Sequence, residues 1–350
     1  MAYDHLIIGA GIAGSLLAIQ LIRRERSVAV VRDPDRPGAT RIAAGLMNPI
    51  TGRRYAPAWQ LPRFLPYALQ TYTDLQREFN TTFFHDEPIL RLFQDDQDRM
   101  AWEQRRKEPA VQSFARQIEG SEWNEIPGDA TFGGVLFRGG GFLQTGAMLD
   151  CLHRAIGNHG VLIEGRFEHD SVRVVEGDDL RLSDLSASVT FCEGLGVERN
   201  PYFSTLPFEF SQGDILTVRI ESFPDRCLVC RGINLVPAGD ATFRAGASYD
   251  WSSRDPAPTV RGRRWIETRL RGFLRTPFEV IDHAAGVRVN TRRRHPVAGL
   301  HPEHPACTIL NGLGSKGVLY APECARQLAN LLVDGTPVYE PLDPKMHRPR

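Results

Sequence analysis

The N-terminal stretch, residues 4–33, constrains the fold more than any other, because it has the order strand, glycine turn, helix, strand. The short apolar run His5–Ile8 precedes the glycine-spaced segment Gly9–Gly14, and leucines then recur at helical spacing as far as Leu21. A second apolar run, Val28–Val31, predicts the next strand. This order predicts a βαβ unit with a parallel pair of strands.

The glycines of this stretch have the spacing G-x-G-x-x-G of a dinucleotide-binding turn. Gly9 would allow the tight turn, Gly11 would let a pyrophosphate approach the backbone, and Gly14 would let the helix pack closely on the strand. The unpaired N–H groups at the helix start would then bind the diphosphate. The predicted contacts are Gly9, Ala10, Gly11, Ile12, Ala13 and Gly14.

The residue that would meet the ribose of the dinucleotide is ambiguous. A carboxylate normally stands at the end of the second strand, but here Arg32 occupies that position and Asp33 follows it. Either Asp33 reaches the ribose after a small shift in register, or Arg32 faces a phosphate and the ligand differs. Both residues are candidates for the cofactor site.

Length and charge narrow the class of partner. A chain of 350 residues can bury a large core, and it is long for one sheet layer, so we expect two domains that share one ligand. Basic and acidic residues number 42 each, which removes the electrostatic argument for binding nucleic acid or an anionic membrane. No segment is long and apolar enough to span a membrane. We expect a cytoplasmic protein with a small-molecule substrate.

The cysteines predict neither a disulfide framework nor a metal centre. Six cysteines in a chain without a secretory signal favour reduced thiols. Cys227 and Cys230 have the C-x-x-C spacing, but a second pair that would complete a zinc site is missing. We therefore predict no metal.

The periodicity of apolar residues changes repeatedly along the rest of the chain. Residues 57–137 contain an amphipathic helix, a short strand over Pro88–Phe93 and a charged helix near Asp95–Arg106. Alternating runs over 208–250 predict an antiparallel sheet. The glycine-rich stretch Asn311–Gly317 precedes a helix that we expect to begin at Pro322, since proline is disfavoured inside helices.

With these pieces in place the chain resembles the D-amino-acid oxidase superfamily of FAD enzymes, and within it the bacterial glycine oxidase and D-amino-acid dehydrogenase branch. The resemblance covers nearly the whole length. It depends on five motifs in family order: Gly9–Gly14, Arg41–Met47, Phe191–Gly194, Ala285–Arg288 followed by His295–Gly299, and Asn311–Gly317 with Ala321 and Pro322.

The resemblance implies an α/β fold in which a discontinuous Rossmann-like FAD-binding domain adjoins a second, α+β substrate domain built on an antiparallel sheet. The FAD-binding domain would comprise 1–56, 138–205 and 300–340. The substrate domain would comprise 57–137 and 206–299, and 341–350 would be a loose tail.

The resemblance also assigns roles to individual residues. A stretch of small residues would lie against the isoalloxazine, Gly194 would close over the adenosine, and the glycine-rich loop would contact the pyrimidine edge. Arg288 would grip the substrate carboxylate. The implied flavin contacts are Arg41, Ala43, Ala44, Gly45, Leu46, Met47, Gly194, Gly312, Leu313, Gly314, Ser315, Lys316 and Gly317.

Besides Arg32, the sequence departs from the family pattern at two further points. Asn234 stands where the glycine oxidase branch often has an active-site tyrosine, so we expect a different substrate from that of the branch and count Asn234 with the catalytic residues. The loop Gly314–Lys316 lacks the cysteine by which sarcosine oxidases attach flavin. We therefore expect noncovalent FAD.

The implied reaction is oxidation of an amino acid or N-substituted amino acid to an imine, with hydride transfer to flavin N5. The protein must orient the substrate and stabilise negative charge on the flavin N1–C2=O edge. Arg288 would supply the first through a bidentate bond, and Lys316 with the amides of 315–317 the second. Electrons would pass on to oxygen or to a quinone.

Three other functions stay open. Oxidation of a 2-hydroxy acid would need a base, and no histidine is placed near the flavin by a motif. A flavin-binding protein or sensor would not turn over at all. A tRNA-modifying oxidase domain shares this fold, but we interpret the basic cluster Thr291–His295 as a solvated or pocket-lining loop and expect no nucleic-acid partner.

Overall fold

The computed structural model describes residues 3–36, 38–120, 122, 128–169 and 188–347. The sequence also predicts a strand that begins at Ala187 and ends in a glycine turn at Gly196. Ala187 and the last three residues of the expected tail lie outside these ranges.

The described residues form helices and strands that alternate most regularly at the N-terminus. The helices are α1 Ile12–Ile22, α2 Ala39–Ile42, α3 Leu61–Phe79, α4 Asp96–Arg105, α5 Pro109–Gln112, α6 Thr145–His159, α7 Val260–Arg271 and α8 Gly317–Asp334. The strands are β1 His5–Ile8, β2 Val28–Arg32, β3 Leu46–Met47, β4 Ile50–Thr51, β5 Ala56–Pro57, β6 Phe84–His85, β7 Ile89–Leu92, β8 Ala115–Arg116, β9 Gly134–Phe137, β10 Gly141–Leu143, β11 Val161–Glu164, β12 Val189–Phe191, β13 Phe208–Arg219, β14 Leu228–Cys230, β15 Asn234–Gly239, β16 Thr242–Gly246, β17 Glu279–Thr291, β18 Val297–Leu300 and β19 Cys307–Asn311.

A six-stranded sheet, in the order β11-β2-β1-β12-β19-β18, carries the N-terminal βαβ unit. Its first five strands are parallel, with Leu6 opposite both Ala29 and Val189, and β18 joins the edge antiparallel. β1 is buried along its whole length, as expected of a parallel strand that is covered on both faces. The predicted βαβ unit is confirmed.

The second large sheet has eight strands, in the order β17-β13-β16-β15-β14-β7-β9-β8. It is antiparallel apart from the parallel pair β7 and β14. Side chains alternate between its two faces, so Leu216, Leu235 and Phe243 pack with Ile266 of α7 on one face. The other face is free to form the wall of a site. Three further strands form the small sheet β3-β10-β6.

Helix α3 packs in the same core as α1 and α8, although its residues fall in the segment that we assigned to the substrate domain. Five apolar positions predicted this helix: Phe64, Ala68, Tyr72 and Leu75 are fully buried there, and Phe79 is half-buried. The domain boundaries stay a prediction.

Helix α8 begins at Gly317, so the expected start at Pro322 was wrong. A proline at 322 removes the N–H that would bond the carbonyl of Val318. The hydroxyl of Tyr72 on α3 donates to that carbonyl instead, at 2.6 Å. The helix can continue through the proline because a neighbouring helix supplies the missing donor.

The chain after Pro341 also differs from expectation as far as it is described. Instead of a loose tail, Glu340–Leu342 and Pro344–His347 form short 3-10 helices next to β18, and the side chains of Leu342 and His347 are buried. The Nε2 of His347 contacts the carbonyl of Pro341 at 2.9 Å. Sequence periodicity misses such short turns, because packing on the sheet orders them.

Candidate functional site

A continuous cavity of about 1460 Å³ connects the carboxyl end of β1 with the inner face of the eight-stranded sheet. It is lined by most of the residues that the sequence singled out. These are Gly9, Ala10, Gly11, Ile12, Ala13, Arg32, Asp33, Arg41, Ala43, Ala44, Gly45, Leu46, Gly194, Asn234, Arg288, Leu313, Gly314, Ser315, Lys316 and Gly317. The other three, Gly14, Met47 and Gly312, do not line it.

The turn between β1 and α1 has no room for side chains. Gly9 has φ +104°, and a Cβ on Gly14 would overlap the carbonyl oxygen of Gly9, so both positions require glycine. Helix α1 then starts with Gly11 at its N-cap and no side-chain cap. Its N-terminal dipole is therefore directed at the cavity, where it favours an anion. Thr40, which sequence reasoning missed, accepts the N–H of Ile12 at 3.2 Å.

Arg32 and Asp33 both border the cavity at the end of β2. Arg32 Nη1 lies 3.5 Å from Glu164 Oε1, because Glu164 is its register partner on β11. Asp33 Oδ1 accepts the N–H of Asp35 at 3.0 Å, and Asp33 Oδ2 lies 4.0 Å from Nε of Arg36. The ribose contact stays a prediction for either residue.

A side chain of the eight-stranded sheet holds the small-residue segment at the end of α2. Arg244 on β16 donates from Nη1 to the carbonyls of Arg41, Ile42 and Ala43 at 3.0, 3.2 and 2.8 Å. These carbonyls end helix α2, where a cation is favourable. Burial lowers the pKa of Arg244. Sequence reasoning missed this anchor because an arginine in an arginine-rich chain carries no motif. Met47 is buried within β3 instead of lining the cavity.

The glycine-rich loop ends in a 3-10 turn, Gly314–Lys316, directly before α8. Lys316 occupies the N-cap of α8, and no side-chain cap is present. Burial, and then the positive charge of Arg294, lower the pKa of the Lys316 ammonium. The helix dipole and this lysine thus bring positive potential to one end of the cavity.

Arg288 lies on β17 and directs its guanidinium along the inner sheet face. Nη1 donates to the carbonyl of Ser248 at 3.3 Å, and Cζ lies 4.3 Å from the centre of the Tyr249 ring. A Cβ on Gly213, two residues along β13 from the register partner of Arg288, would collide with both terminal guanidinium nitrogens. Burial lowers the pKa of Arg288. Among the described residues, no carboxylate lies within 4.0 Å of this guanidinium.

The nearest buried acid, Asp214, is already occupied by other donors. It accepts the N–H and the hydroxyl of Thr259 at 2.7 and 3.0 Å, the hydroxyl of Ser248 at 2.9 Å, and it contacts Nε2 of His283 at 2.9 Å. Burial would raise the pKa of Asp214, but these hydrogen bonds outweigh it and lower the pKa. Arg288 therefore keeps its hydrogen-bonding capacity for a ligand.

Asn234 begins β15 and shares the inner face with Arg288. It pairs with Gly246 on β16, which in turn lies beside Ile215 on β13, so the residues between Asn234 and the β13 strand are small or apolar. Two other residues at this wall, Tyr249 and Gly213, were missed. The signal that could have found Gly213 is the register of β13 on β17, which the sequence does not contain.

Cys227 precedes β14 of the same sheet and Cys230 ends it, and the two side chains pack in different clusters. Burial raises the pKa of their thiols to about 12 and about 11. In the part of the chain that the structure describes, no group of three or more histidine, cysteine or acidic side chains could hold a metal ion. No described helix has the length and hydropathy to cross a membrane.

Comparison with known families assigns the chain to one of them. The model of the family described as FAD dependent oxidoreductase matches residues 4–331. This chain belongs to the family of FAD-dependent oxidoreductases. Members of this family are oxidoreductases, and FAD is the cofactor.

Several solved structures share the fold of this chain. Iminodiacetate oxidase from Chelativorans sp. superposes with a TM-score of 0.81 at 21% identity, covering 99% of both chains. Glycine oxidase from Geobacillus kaustophilus gives 0.78 at 18% identity, covering 95% and 94%. L-Proline dehydrogenase from P. horikoshii gives 0.78 at 17% identity, covering 100% and 99%.

Curated relatives are longer proteins. The tRNA 5-methylaminomethyl-2-thiouridine biosynthesis bifunctional protein of Marinobacter nauticus is 26% identical over 93% of this chain and 54% of its own length. The protein of the same description from Legionella pneumophila is 23% identical over 85% of this chain and 45% of its length. The chain thus spans about half the length of the curated relatives it matches.

The residues of the cavity fit FAD. The start of α1, whose N-cap is a glycine, and the glycine turn suit a diphosphate at one end, and the start of α8 with Lys316 suits an electron-rich ring edge at the other. The segment Ala43–Leu46 presents small side chains and backbone to the cavity between them. A wall of this kind accommodates a flat ring without a clash.

Proposed function

We propose that this oxidoreductase oxidises an amino acid or an N-substituted amino acid to an imine, with Arg288 as the residue that binds the substrate carboxylate. One observation carries the proposal. A half-buried guanidinium faces the same cavity as the dinucleotide turn, and no carboxylate lies within 4.0 Å of it among the described residues. A guanidinium that is partly withdrawn from water and has no carboxylate in contact favours an anionic ligand.

Each residue of the cavity wall has a separate role in the proposed reaction. Arg288 orients the substrate through a planar, bidentate contact that a carboxylate matches. Lys316 and the N-terminus of α8 hold negative charge at their end of the cavity. Bound FAD supplies the acceptor for the hydride from the substrate α-carbon. Asn234 contributes a neutral amide to the inner face, which can hydrogen-bond a substrate without taking its proton.

The chemistry needs no acid–base dyad beyond these groups. A neutral amine loses its α-hydrogen with the electron pair, and the remaining proton leaves to solvent. The imine then reacts with water to give a keto acid and an amine. The electrons pass to oxygen or a quinone. The solved relatives support the substrate class, because iminodiacetate, glycine and proline, which their descriptions name, are all amino acids with a free carboxylate.

An anaerobic screen tests the proposal. The holoenzyme is mixed with glycine, sarcosine, proline, iminodiacetate and D-amino acids, and bleaching of the flavin band is followed. Glycolate and lactate test the 2-hydroxy-acid alternative, and pyrrolidine is the carboxylate-free match for proline. We expect bleaching by at least one amino acid and none by pyrrolidine. Bleaching by the hydroxy acids alone supports that alternative, and no bleaching at all supports a flavin-binding protein without turnover.

A second candidate is oxidation of an N-substituted amino acid that is attached to tRNA. Two observations favour it: the descriptions of the curated relatives name tRNA modification, and Arg292, Arg293 and Arg294 are all exposed at the turn after β17, the strand of Arg288. Three exposed arginines on one turn form a phosphate-binding surface in spite of the neutral net charge.

Salt-dependent binding tests this second candidate. We expect tRNA to bind with an affinity that falls as salt rises, and the double substitution Arg292→Gln with Arg293→Gln to reduce the salt slope by about two. Replacing Arg263 and Arg264 on the exposed face of α7 is the matched control. Equal tRNA binding by both double variants would argue against the candidate.

A further inference from the structure

Two large aromatic side chains lie exposed beside the arginine of the site. Tyr249 is 55% and Trp251 49% exposed, so about half of each ring surface is open to a ligand. Tyr249 lines the cavity, and Trp251 lies two residues farther along. Two such rings next to a half-buried arginine form an exposed apolar surface beside the site.

The backbone fixes both rings on one side of their segment. Asp250, which lies between them, exchanges two backbone hydrogen bonds with Gln212 of β13, both at 2.9 Å. Because alternate residues of an extended chain project to the same side, Tyr249 and Trp251 project together. Their planes are 20° apart and their centres 6.4 Å apart. The rings are thus held nearly parallel.

An arginine contacts each ring. Arg288 Cζ lies 4.3 Å from the centre of Tyr249, and Arg294 Cζ lies 4.7 Å from the centre of Trp251. We name this row of four side chains, Arg288, Tyr249, Trp251 and Arg294, the aromatic ladder. It leads from the inner sheet face outward, and its outer arginine is close enough to Lys316 to lower that lysine's pKa.

We propose that the aromatic ladder is a substrate subsite, which binds a flat aromatic or heteroaromatic ring carried on the substrate nitrogen. The proposal rests on the proposed function in one respect, since the substrate carboxylate is taken to lie on Arg288. From there four single bonds reach the ring of an N-arylmethyl glycine. Tyr249 and Trp251 are the exposed aromatic side chains beside the guanidinium that such a ring would contact.

The chemistry of the ladder favours a flat ring over a saturated one. Stacking on aromatic faces and on a guanidinium plane needs a π-system, and each such contact contributes modestly in water-exposed sites. A cyclohexyl ring is at least as apolar as a phenyl ring but cannot stack. The ratio of the two affinities therefore reports stacking and not apolar burial alone.

Ether acids make the test independent of turnover. Benzyloxyacetate and cyclohexylmethoxyacetate keep the carboxylate and the bond count, but their oxygen cannot become an imine. Their dissociation constants for the holoenzyme are measured from the shift of the flavin absorbance. We expect benzyloxyacetate to bind roughly fivefold to tenfold more tightly. We expect Trp251→Leu to bring the ratio close to one.

A matched variant controls for the loss of any tryptophan that contacts an arginine. Trp265 on α7 lies under Arg269 Cζ at 3.5 Å and packs with the core on the opposite sheet face. Trp265→Leu should keep the wild-type ratio. A ratio near one in the wild type, or a preference for the flat ring that survives Trp251→Leu, would overturn the ladder.

Binding of methoxyacetate distinguishes failure of the aromatic ladder from failure of the proposed function. It has the carboxylate but no ring, so it reports the arginine alone. If Arg288→Ala leaves methoxyacetate binding unchanged, the carboxylate clamp is wrong. The ratio of the two ring compounds still decides whether the ladder binds a flat ring.

Discussion

The position of the Arg288 guanidinium depends on Gly213, which has no side chain. Its guanidinium fills the space over Gly213 on the neighbouring strand, while the closest buried acid, Asp214, is engaged by Thr259, Ser248 and His283. The arginine is therefore placed by packing and left without a carboxylate. The sequence could indicate Arg288 through its motif, but not Gly213, because only strand pairing brings the two together.

Gly213→Ala tests this packing. The new methyl group would displace the guanidinium, and overpacking of about 1 to 3 kcal/mol corresponds to a loss of affinity of roughly fivefold to more than a hundredfold. The dissociation constant of a carboxylate ligand such as methoxyacetate is the readout, with FAD occupancy expected to stay normal. Gly157→Ala, at an exposed position of α6 with open space around it, is the control. Wild-type affinity in Gly213→Ala would show that Arg288 does not bind the carboxylate.

Lys316 offers a second test at this scale. Lys316→Met should lower the flavin reduction potential, because a cation near the reduced ring favours its negative charge. A contact to a charged group worth about 1.5 to 3 kcal/mol corresponds to a shift on the order of 30 to 60 mV for two electrons. Lys107→Met, at an exposed turn, is the matched control. An unchanged potential would mean that the start of α8 does this alone.

At the scale of elements, the sequence predicted those that follow a single period. The amphipathic spacing of α3 and the βαβ unit of β1, α1 and β2 are confirmed by the structure. The start of α8 was not predictable, since the donor that replaces the N–H of Pro322 comes from Tyr72, far away in sequence. Local patterns carry no information on such a contact.

Tyr72→Phe isolates that contact. It leaves the carbonyl of Val318 buried without a donor, which costs about 1 to 3 kcal/mol. We expect the urea midpoint of the FAD-saturated protein to fall accordingly. Tyr339→Phe removes a hydroxyl from another ring that packs in this region and should change the midpoint little. Equal midpoints in Tyr72→Phe and the wild type would refute the role given to the hydroxyl.

For the whole molecule, the site depends on two sheets that contribute to one cavity. The glycine turn and the start of α8 come with the parallel sheet, and Arg288 and Asn234 come with the antiparallel one. Arg244 ties the two by holding the carbonyls of Arg41 to Ala43. The sequence predicted both sheets and most of the lining residues. It could not predict the anchor or the aromatic ladder, because both depend on register and on the approach of distant segments.

The attachment of the cofactor is a property of the whole molecule. The loop Gly314–Lys316 has no cysteine, and burial raises the pKa of Cys192, the cysteine that lines the cavity among the described residues. Its thiol is thus protonated and unreactive. We expect the purified protein to be yellow and acid precipitation to release the colour into the supernatant. Colour that stays with the pellet would contradict noncovalent binding.

The most direct test of the central claim is the effect of Arg288→Ala on substrate affinity, measured on the holoenzyme with the best amino acid of the anaerobic screen. Truncating one partner of a buried charge pair costs about 2 to 5 kcal/mol, so the dissociation constant should rise roughly thirty-fold to several thousand-fold. Arg288→Lys should recover part of the loss, since an ammonium cannot form two parallel bonds. FAD occupancy should stay normal. If affinity is unchanged in Arg288→Ala while FAD remains bound, and pyrrolidine reduces the flavin as well as proline does, the amino-acid assignment is wrong.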